Sequence, residues 1–510
     1  MSAYVHWHNR LSLEQLGRRA SSMPLFVALI PFVAGVVLAD NYYFPMWLVV
    51  VAWSLSIIMA WLLIESRTAL AYIAVALTMT GYLVAEFRAP VTNIPYDRVL
   101  EMIIEVRGVP AVRDGYRVAE GRVVSWADDG EWRSANDRVQ LWLRCDSVSR
   151  GARITVASTL VERMSRYEGY NDLLRRRGYV GGVSIANYNI IDVEPYDRLT
   201  LQHRALNKLS CYVADSVSHA TVEAMVVGSR ANIPRRVSED YSHTGMAHLM
   251  AVSGLHLGVV ALVANVLLLP LVYIHRGHRL RNLIVIAVLW LFVAVSGASP
   301  SVVRAAMMLS VLQLSYFLSA QYNSLNAMGF AIFAMILYRP DYIFDISFQL
   351  SVAAVLGIVV WAVPAIRSLR VYQLSRWVCS TLIIGVAATL WTLPIISHTF
   401  GNIPLVGVIV TPIALFTAYI IVGGGVLALM LPQSVATLFV AVAEWAAGIQ
   451  NMIVHGASLL RYASVEYTLP LSGVVACYVV YAVITIVAMS VRREKKIIIP
   501  EYEYDDTGRL

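Results

Sequence analysis

Residues 243–267 read HTGMAHLMAVSGLHLGVVALVANVL, and this stretch is the most informative part of the chain for both fold and function. Its second half is a long apolar run, whereas residues 243–256 contain three histidines, a serine and two glycines. Polar side chains are costly in lipid, so they normally face the interior of a helix bundle or an aqueous path. The stretch therefore predicts a membrane-embedded helix with a functional polar entrance. Histidines that only hydrogen-bond to neighbouring helices near a membrane boundary are the other interpretation.

The spacing of His248 and His256 argues against a metal site. On a straight α-helix, eight residues correspond to about 80° of rotation and about 12 Å of rise, so one ion cannot bind both rings. A helix break at Ser253–Gly254 would change that geometry. The sequence contains no CxxC pair, Cys/His cluster or HExxH motif. We therefore expect no metal, no cofactor and no catalytic residues.

The composition extends the membrane prediction to most of the chain. The 510 residues are 58% hydrophobic and 14% charged, whereas about 25% of residues are charged in ordinary globular proteins. These values exclude a disordered chain, a collagen-like repeat and a small disulfide scaffold. The apolar runs are residues 24–39, 46–64, 69–85, 246–274, 282–296, 302–319, 324–338, 346–365, 377–396, 404–431, 434–459 and 470–491.

Not every apolar run has the length of a simple membrane span. A spanning helix needs about 20 apolar residues, and some of these runs are shorter or are interrupted by Gly and Pro. Broken or re-entrant segments are tolerated where they face a cavity rather than lipid. We predict a polytopic α-helical membrane protein with about 9–12 transmembrane or re-entrant helices and an inserted small all-β domain.

The β domain is predicted between the third and fourth apolar runs. Residues 116–124, 139–144 and 152–156 alternate between apolar and polar side chains, which is typical of half-buried strands. A segment of this size with several such strands fits a small β-barrel of OB type, although the periodicity alone does not select that fold. Residues 86–200 contain 17 arginines and 17 acidic residues, so the net charge of +7 arises elsewhere in the chain.

Residues 200–229 follow the β domain and are predicted to form an amphipathic helix. Apolar residues recur there at spacings of three and four, and polar residues lie between them. Such a helix can lie along the membrane surface. Packing against the β domain is the alternative that the pattern leaves open.

The positions of the basic residues predict the orientation of the chain. If the N-terminus is cytoplasmic and every run crosses once, the inside segments contain Arg67, Arg276, Arg279, Arg281, Arg367, Arg370, Arg376, Arg492, Arg493, Lys495 and Lys496. The outside loops contain few basic residues, namely Arg339 and Arg461. The positive-inside rule then places both termini in the cytoplasm and the β domain outside it.

The predicted domains follow from these boundaries. They are a cytoplasmic N-terminal tail (1–23), three transmembrane helices (24–85), an extracytoplasmic β domain (86–199), an interfacial helix and linker (200–240), a membrane channel domain (241–491) and a cytoplasmic C-terminal tail (492–510).

Several sequence blocks resemble the ComEC-type competence family of inner-membrane DNA-uptake channels. Residues 247–258, AHLMAVSGLHLG, resemble its H-L-[LM]-A-[IV]-S-G-L-H signature, which residues 248–256 match throughout. Further blocks resemble the family in the same order: 170–179 (YNDLLRRRGY), 224–230 (AMVVGSR), 296–305 (SGASPSVVRA), 344–351 (FDISFQLS, with Ile346-Ser347 in place of x-G), 392–394 (TLP) and 400–401 (FG).

The resemblance implies a channel that passes single-stranded DNA across the cytoplasmic (inner) membrane during natural transformation. The external OB-like domain would guide the DNA. The implied partners are single-stranded DNA, membrane lipids, an external DNA receptor and a cytoplasmic ATP-driven translocase; a homo-oligomer is left open. Many family members add a metallo-β-lactamase-like domain, but no HxHxDH motif occurs here, so we expect no nuclease and no enzyme activity in this chain.

The candidate residues of the DNA path lie in and around the signature. They are Arg230, His243, His248, Ser253, Gly254, His256, Arg304, Gln349 and Ser351. Arg304 is expected either to contact phosphate at the mouth of the pore or to extend to the membrane interface. Arg230 is expected to hold phosphate or to sit at the lipid headgroups. Gln349 and Ser351 are expected to hydrogen-bond to passing bases or to join helices.

A second set of candidates lies in the β domain. Residues 138–177 contain nine arginines and four acidic residues, so one face of a neutral domain is expected to be basic. Arginine suits bidentate contact with phosphate and stacking on bases. The external DNA-contact candidates are Arg138, Trp142, Arg144, Arg153, Arg175, Arg176 and Arg177. A solvated strand face with local ion pairs is the alternative.

Two other functional classes remain open at this stage. A secondary transporter or small-solute channel would also have broken helices and polar groups at the midplane, and the run 404–431 with Gly423, Gly424 and Gly425 fits that class. An intramembrane serine protease is the third class, because Ser253 and His256 are three residues apart and superficially suggest a nucleophile and its base.

Overall fold

A computed structural model describes residues 23–494 of the chain with short gaps. The gaps are at 67, 89–91, 108–110, 114–115, 129, 146–147, 149–150, 165–167, 177, 196–200, 211–214, 231, 275, 319–321, 370–372 and 461–462. The two predicted cytoplasmic tails therefore lie almost entirely outside the described residues.

Helices dominate the described part of the chain. In chain order they are α1 Pro24–Asn41, α2 Met46–Leu62, α3 Ala69–Arg88, α4 Glu168–Arg176, α5 Leu201–Ser210, α6 Ser216–Val227, α7 Arg235–His243, α8 Gly254–Leu267, α9 Gly277–Val295, α10 Pro300–Leu318, α11 Ser324–Tyr338, α12 Ile346–Gly357, α13 Val363–Arg367, α14 Gln373–Phe400, α15 Gly407–Met430, α16 Gln433–Ser458 and α17 Leu471–Glu494. The strands are β1 Val99–Val106, β2 Ala111–Arg113, β3 Tyr116–Asp128, β4 Glu131–Arg144, β5 Ala152–Val161, β6 Tyr179–Ala186, β7 Ile190–Pro195, β8 Asn402–Pro404 and β9 Ser464–Glu466.

Nine helical segments in the described residues are long and apolar enough to cross a membrane. They are Pro24–Asn41, Ala69–Phe87, Gly277–Val295, Pro300–Leu318, Ile346–Arg367, Cys379–Phe400, Ile409–Met430, Gln433–Ser458 and Leu471–Ala488. The shorter apolar helices are Met46–Leu62, Gly254–Leu267 and Ser324–Tyr338. The prediction of a multi-pass helical membrane protein with a small β region is confirmed.

The N-terminal helices pack through glycine. A Cβ atom added at Gly35 of α1 would lie 1.8 Å from the carbonyl oxygen of Thr78, and one added at Gly81 of α3 would lie 2.1 Å from that of Phe32. Only a residue without a side chain permits such close contact between backbones, which is how membrane helices commonly associate.

The β region follows α3 and pairs its strands in a ring-like succession. The order is β1-β3-β4-β6-β5-β7, and β1 also pairs with β5. Most pairs are antiparallel, whereas β4 and β6 are parallel. The contact between β5 and β6 is short and consists of two residue pairs. Alternate residues of β5 are buried, as its apolar–polar pattern predicts, and they contribute to a separate apolar core.

The segment 200–229 differs from its prediction as one amphipathic helix. It contains two described helices, α5 and α6, and Asp215 caps the start of α6 by accepting a hydrogen bond from the Ser218 backbone N–H at 2.9 Å. Every residue from Ser218 to Val227 is buried, including His219 and Glu223. The polar residues of α6 therefore do not form a solvated face, because partners from other helices cover them.

The run 404–431 also differs from the interrupted helix that its glycines suggested. α15 is continuous from Gly407 to Met430. A Cβ atom added at Gly425 would lie 2.3 Å from a methyl carbon of Val226, and one added at Gly424 would lie 3.0 Å from the carbonyl oxygen of Phe439. These glycines therefore admit α6 and α16 to the surface of α15 and do not break the helix.

The chain forms two compact units. The larger contains residues 24–352 and 404–465, and the smaller contains the described residues of 353–403 and 466–494 together with Met23. A π-helical turn at Ile358–Ala362 interrupts the helical segment of the smaller unit. Trp361 there donates to Thr485 Oγ1 at 2.8 Å and packs against Trp391 and Tyr481.

Candidate functional site

The signature segment is not one continuous helix, and the break at Ser253–Gly254 that the sequence left open is present. α7 ends at His243, and Gly245 adopts a positive φ of 75° before a 3₁₀ turn at Met246–His248. Ser253 is extended, with φ −127° and ψ 176°, and α8 begins at Gly254. A Cβ atom at Gly245 would also lie 2.6 Å from Pro404, so both its conformation and its surroundings favour glycine there. The 3₁₀ turn at Met246–His248 and α8 are thus separate elements, and His248 and His256 do not lie on one helix.

His256 closes the first turn of α8. Its Nδ1 accepts the Ser253 backbone N–H at 3.0 Å and lies 2.8 Å from Ser253 Oγ. A backbone N–H can only donate, so Nδ1 is the unprotonated nitrogen and the proton of the neutral ring is on Nε2. The ring is fully buried, and Nε2 has no hydrogen-bond partner among the described residues. His256 therefore presents an unused donor inside the bundle.

Arg230 and His248 lie outside the spanning helices and are both exposed. Arg230 Nε donates to the Met250 carbonyl at 3.2 Å, and His248 Nδ1 lies 2.9 Å from the Gly245 carbonyl. Desolvation by the surrounding protein nevertheless lowers the pKa of Arg230 and that of His248. His243, the last residue of α7, is also exposed.

Arg304 enters the same region from α10. A Cβ atom at Gly254 would lie 3.3 Å from Cβ of Ala305, so the start of α8 packs directly on this part of α10. Arg304 is only 3% exposed, and its Nε and Nη1 have no hydrogen-bond partner among the described residues. The alternative in which Arg304 extends to the membrane interface does not agree with this burial, because such an extended side chain would leave its charged end accessible.

Gln349 and Ser351 have local partners. Gln349 Nε2 donates to the Ile343 carbonyl at 2.8 Å, across the turn that precedes α12. Asp345 caps the same turn by accepting the Phe348 N–H at 3.2 Å. Ser351 Oγ lies 3.2 Å from Ser301 Oγ of α10. These contacts agree with the interpretation that the two side chains join backbone and helices.

Most of the external arginine candidates form ion pairs. The pairs are Arg138–Glu120 at 2.8 Å, Arg153–Glu105 at 3.0 Å, Arg175–Glu162 at 2.9 Å and Arg176–Asp40 at 2.8 Å. Arg144 is exposed and forms no ion pair within the described part of the chain. Trp142 packs on Gly182. Arg177 lies outside the described residues. The arrangement favours local pairing over a continuous basic face.

A buried polar network that the sequence did not predict joins α6, α7, α15 and α16. Thr417 donates to Gln450, Gln450 to Tyr241, Tyr241 to Asn451 and Asn451 to Thr221, with distances of 2.8, 3.0, 2.8 and 3.1 Å. Glu444 of α16 lies 2.7 Å from His219 of α6. The available signal was a set of polar residues, Glu444 above all, in the apolar run 434–459.

The described residues contain no group of three or more His, Cys, Asp or Glu side chains arranged to hold a metal ion. The site is instead a gathering of nitrogen donors. Arg230, His248, His256 and Arg304 come from four segments that lie next to one another at the start of α8. Such an arrangement can bind an anion or line a wet path.

Comparison with known proteins gives one family and several relatives. Residues 225–493, more than half of the chain, match the family model described as "Competence protein". "ComE operon protein 3" of Bacillus subtilis (strain 168) is 28% identical over 226 residues, which cover 44% of this chain and 28% of that protein. An "Uncharacterized protein" of Aquifex aeolicus (strain VF5) is 31% identical over 197 residues, covering 38% and 44%.

A third relative, "Uncharacterized protein YcaI" of Escherichia coli (strain K12), is 28% identical over 149 residues, covering 28% of this chain and 20% of that protein. The chain thus matches less than half the length of each of these relatives. No solved structure matches it.

Proposed function

The chain belongs to the ComEC-type competence protein family, and on that premise we propose that it forms a conduit for single-stranded DNA across the cytoplasmic membrane. The start of α8 is the proposed constriction, and the β domain lies on the extracytoplasmic side and guides the DNA. Both termini are cytoplasmic in this proposal. A DNA receptor outside and an ATP-driven translocase inside are the expected partners.

The observation that carries the proposal is the buried guanidinium of Arg304 with two unpaired nitrogen donors. Leaving a buried charge without compensation costs about 3–5 kcal/mol, so a partner must be supplied in the working protein. Water and phosphate oxygens are both suitable, because arginine presents several N–H groups in a planar fork. During transport the phosphates of the DNA would pair with Arg304, and water would occupy the same position when no DNA is present.

Other unpaired polar atoms support a wet interior in the same helices. Asn282 Oδ1 of α9, Ser299 Oγ before α10 and Gln313 Oε1 of α10 are buried and have no hydrogen-bond partner among the described residues. Nearly all buried polar groups in proteins are hydrogen-bonded to protein or to ordered water. Because they lie on α9, on α10 and just before α10, these atoms favour a hydrated path along the two helices over dry packing.

We interpret the β domain as OB-like. Its succession of pairings runs β1-β3-β4-β6-β5 and returns to β1, and β4 and β6 are parallel. OB-type barrels bind single strands through aromatic and cationic side chains. Trp132 of β4 is 48% exposed, so one aromatic side chain is available for stacking, whereas Trp126 of β3 is buried in the core of the domain.

The proposal predicts that Arg304→Ala abolishes most DNA import. A charge-assisted hydrogen bond contributes about 1.5–3 kcal/mol, so losing it should reduce import roughly tenfold or more. The measurement is nuclease-protected uptake of labelled DNA in cells that carry a deletion and a plasmid-borne copy, with membrane insertion checked by fractionation. Arg304→Lys retains the charge and should retain part of the import.

The matched control is Arg235→Ala. The Arg235 side chain is 93% exposed and forms a surface pair with Glu239, which contributes little. Import in this variant should equal that of the wild type. Wild-type import in correctly inserted Arg304→Ala would refute the proposed constriction.

A transporter for an anionic solute is the second candidate function. The broken segment 246–274 supports it, since the start of a half-helix suits an anionic group. Import of labelled DNA that depends on Arg304 distinguishes the two candidates. The protease alternative is not favoured, because His256 contacts Ser253 through the nitrogen that also caps the backbone, and its Nε2 faces no described partner.

A further inference from the structure

His219 lies between two carboxylates in the interior of the larger unit. Its Nδ1 is 2.7 Å from Oε1 of Glu444, and its Nε2 is 3.5 Å from Oε1 of Glu223. The side chains of His219 and Glu223 are each 5% exposed, and that of Glu444 is 6% exposed. The three residues connect α6 to α16 across 225 positions of sequence.

The charges of this cluster depend on the proton of the ring. With His219 protonated, two carboxylates surround one imidazolium and the net charge is −1. With a neutral ring the net charge is −2, and two like charges share a poorly solvated space. Opposite charges at this distance favour the protonated ring, whereas burial favours its neutral form.

The neighbouring elements supply little compensating charge. α15 carries Tyr419 as its only ionisable residue, and α5 carries His203, Arg204 and Lys208. Lys208 donates to the carbonyls of Leu429 and Leu431 at 2.8 and 3.0 Å, and Arg204 is exposed. α16 adds His455, whose Nδ1 lies 2.9 Å from Asp240 of α7.

The cluster is mechanically tied to the candidate site. Asn232, which is exposed, donates to Glu223 Oε2 at 3.0 Å. Two residues earlier, Arg230 donates to the Met250 carbonyl of the signature segment. The end of α6 is thus held by Glu223 on one side and by the segment before α8 on the other.

We propose that Glu223, His219 and Glu444 form a proton-binding site that controls the position of α6. A proton from solvent adds to an imidazole nitrogen of His219, forming an N–H bond. The imidazolium holds α6 to α16 through Glu444, and Glu223 of α6 itself stabilises the charge of the ring. Loss of this proton to water removes the positive charge between the two carboxylates and weakens the contact between His219 and Glu444. The connection through Asn232 and Arg230 transmits the change to the candidate site, and this last step rests on the proposed function.

The direct test is nitrogen NMR of the full-length protein in lipid bilayers, with the histidine rings labelled. The variant His219→Gln identifies the signal of His219. We expect this ring to remain doubly protonated at a pH where exposed histidines have become neutral. Glu444→Gln and Glu223→Gln should each lower its titration midpoint by about one pH unit or more, because each removes a nearby negative charge.

Glu239→Gln is the matched control for these substitutions. Glu239 is exposed and pairs with Arg235, so its loss should leave the midpoint unchanged. A His219 ring that titrates together with the exposed histidines, or a midpoint that Glu444→Gln does not move, would overturn the proton site. Glu444→Gln and Glu223→Gln keep the shape of the side chain that they replace. The histidine signal that both variants shift identifies His219 even if His219→Gln does not fold.

A second measurement follows labelled DNA import as a function of external pH. The wild type should show a pH dependence that His219→Gln removes, and a pH profile unchanged in that variant would refute the control of α6. If the wild type imports no DNA, the proposed function fails, whereas the NMR titration still decides whether the proton site exists.

Discussion

At the scale of single residues, His256 combines a structural contact with an unused donor. Its Nδ1 fixes the Ser253 backbone at the start of α8, and this contact holds Nε2 in one orientation inside the bundle. A side chain positioned in this way can donate to water or to an anion without paying again for its ordering. The spacing Ser-x-x-His therefore serves two purposes. The His256 ring caps the start of α8 through Nδ1, and its Nε2 faces the proposed path.

Ser253→Ala tests whether this serine caps or reacts. The side-chain contact with His256 would be lost, whereas the bond from the backbone N–H to Nδ1 remains. Removing a capping serine costs about 0.5–2 kcal/mol, so the melting temperature should fall slightly while DNA import persists. Thermal unfolding in detergent and uptake of labelled DNA measure the two effects. Complete loss of import without loss of folded protein would argue for a nucleophile.

The buried side chains were only partly predictable from sequence. The sequence shows that Arg304 is a costly charge in an apolar helix, but it does not show that Arg304 is buried. The adjacent residues of α10 are apolar on most sides, so the pattern does not indicate which side of the helix faces the protein interior. The pair His219–Glu444 joins distant parts of the chain, and no local pattern indicates such a partner. Glu444 alone was visible as an acid within an apolar run.

At the scale of elements, glycine decides how closely α15 can be approached. Val226 of α6 lies against Gly425, and the Phe439 carbonyl of α16 lies against Gly424. Glycines that suggested a helix interruption in the sequence therefore allow close packing of α6 and α16 on α15. α15 stays regular because glycine is tolerated in membrane helices where close neighbours repay its low propensity.

Gly425→Ala should displace α6. The added methyl group would lie 2.3 Å from Val226 Cγ2, and overpacking of this kind costs about 1–3 kcal/mol. We expect a lower thermal midpoint for the full chain in detergent. Gly456→Ala is the control, because no atom lies within 4 Å of a Cβ added there. Equal midpoints for wild type and Gly425→Ala would contradict the close packing of α6 on α15.

The elements themselves were predicted better than their burial. The apolar runs coincide with the helical segments, whereas the break at Ser253–Gly254 was only one of the possibilities that the sequence left open. The amphipathic pattern of residues 200–229 predicted a solvated polar face. In the structure, α15 and α16 pack against α6 and bury its polar residues. Hydrophobic periodicity identifies a helix but cannot identify what covers its polar side.

At the scale of the whole molecule, the β domain and the helical bundle have different charge arrangements. Acidic neighbours neutralise most of the arginine candidates in the β domain, whereas Arg304 in the bundle has unpaired donors. Composition alone gave a neutral insert and a basic remainder, which agrees with this division. It could not show which arginines are paired, because the acids come from other strands and from α1.

Arg144→Ala should weaken binding of single-stranded DNA more than Arg153→Ala does. Arg144 is exposed and unpaired within the described residues, whereas Arg153 is held by Glu105 at 3.0 Å. A free cation contributes a salt-dependent phosphate contact, so its loss should reduce the salt dependence of binding as well as the affinity. Titration of the full chain in lipid nanodiscs with a labelled oligonucleotide at two salt concentrations measures both. Identical effects of the two substitutions would contradict this assignment.

Buried polar side chains of α10 border the proposed hydrated path for DNA. Gln313 and Leu314 are adjacent on α10, but Gln313 is 5% exposed and faces the interior whereas Leu314 is 41% exposed on the outer surface. The most direct measurement replaces each in turn with a photoreactive amino acid and illuminates cells during uptake of labelled DNA. The account predicts that DNA is crosslinked at position 313 and not at position 314. Active import without any crosslink at position 313, or with equal crosslinking at both positions, would contradict it.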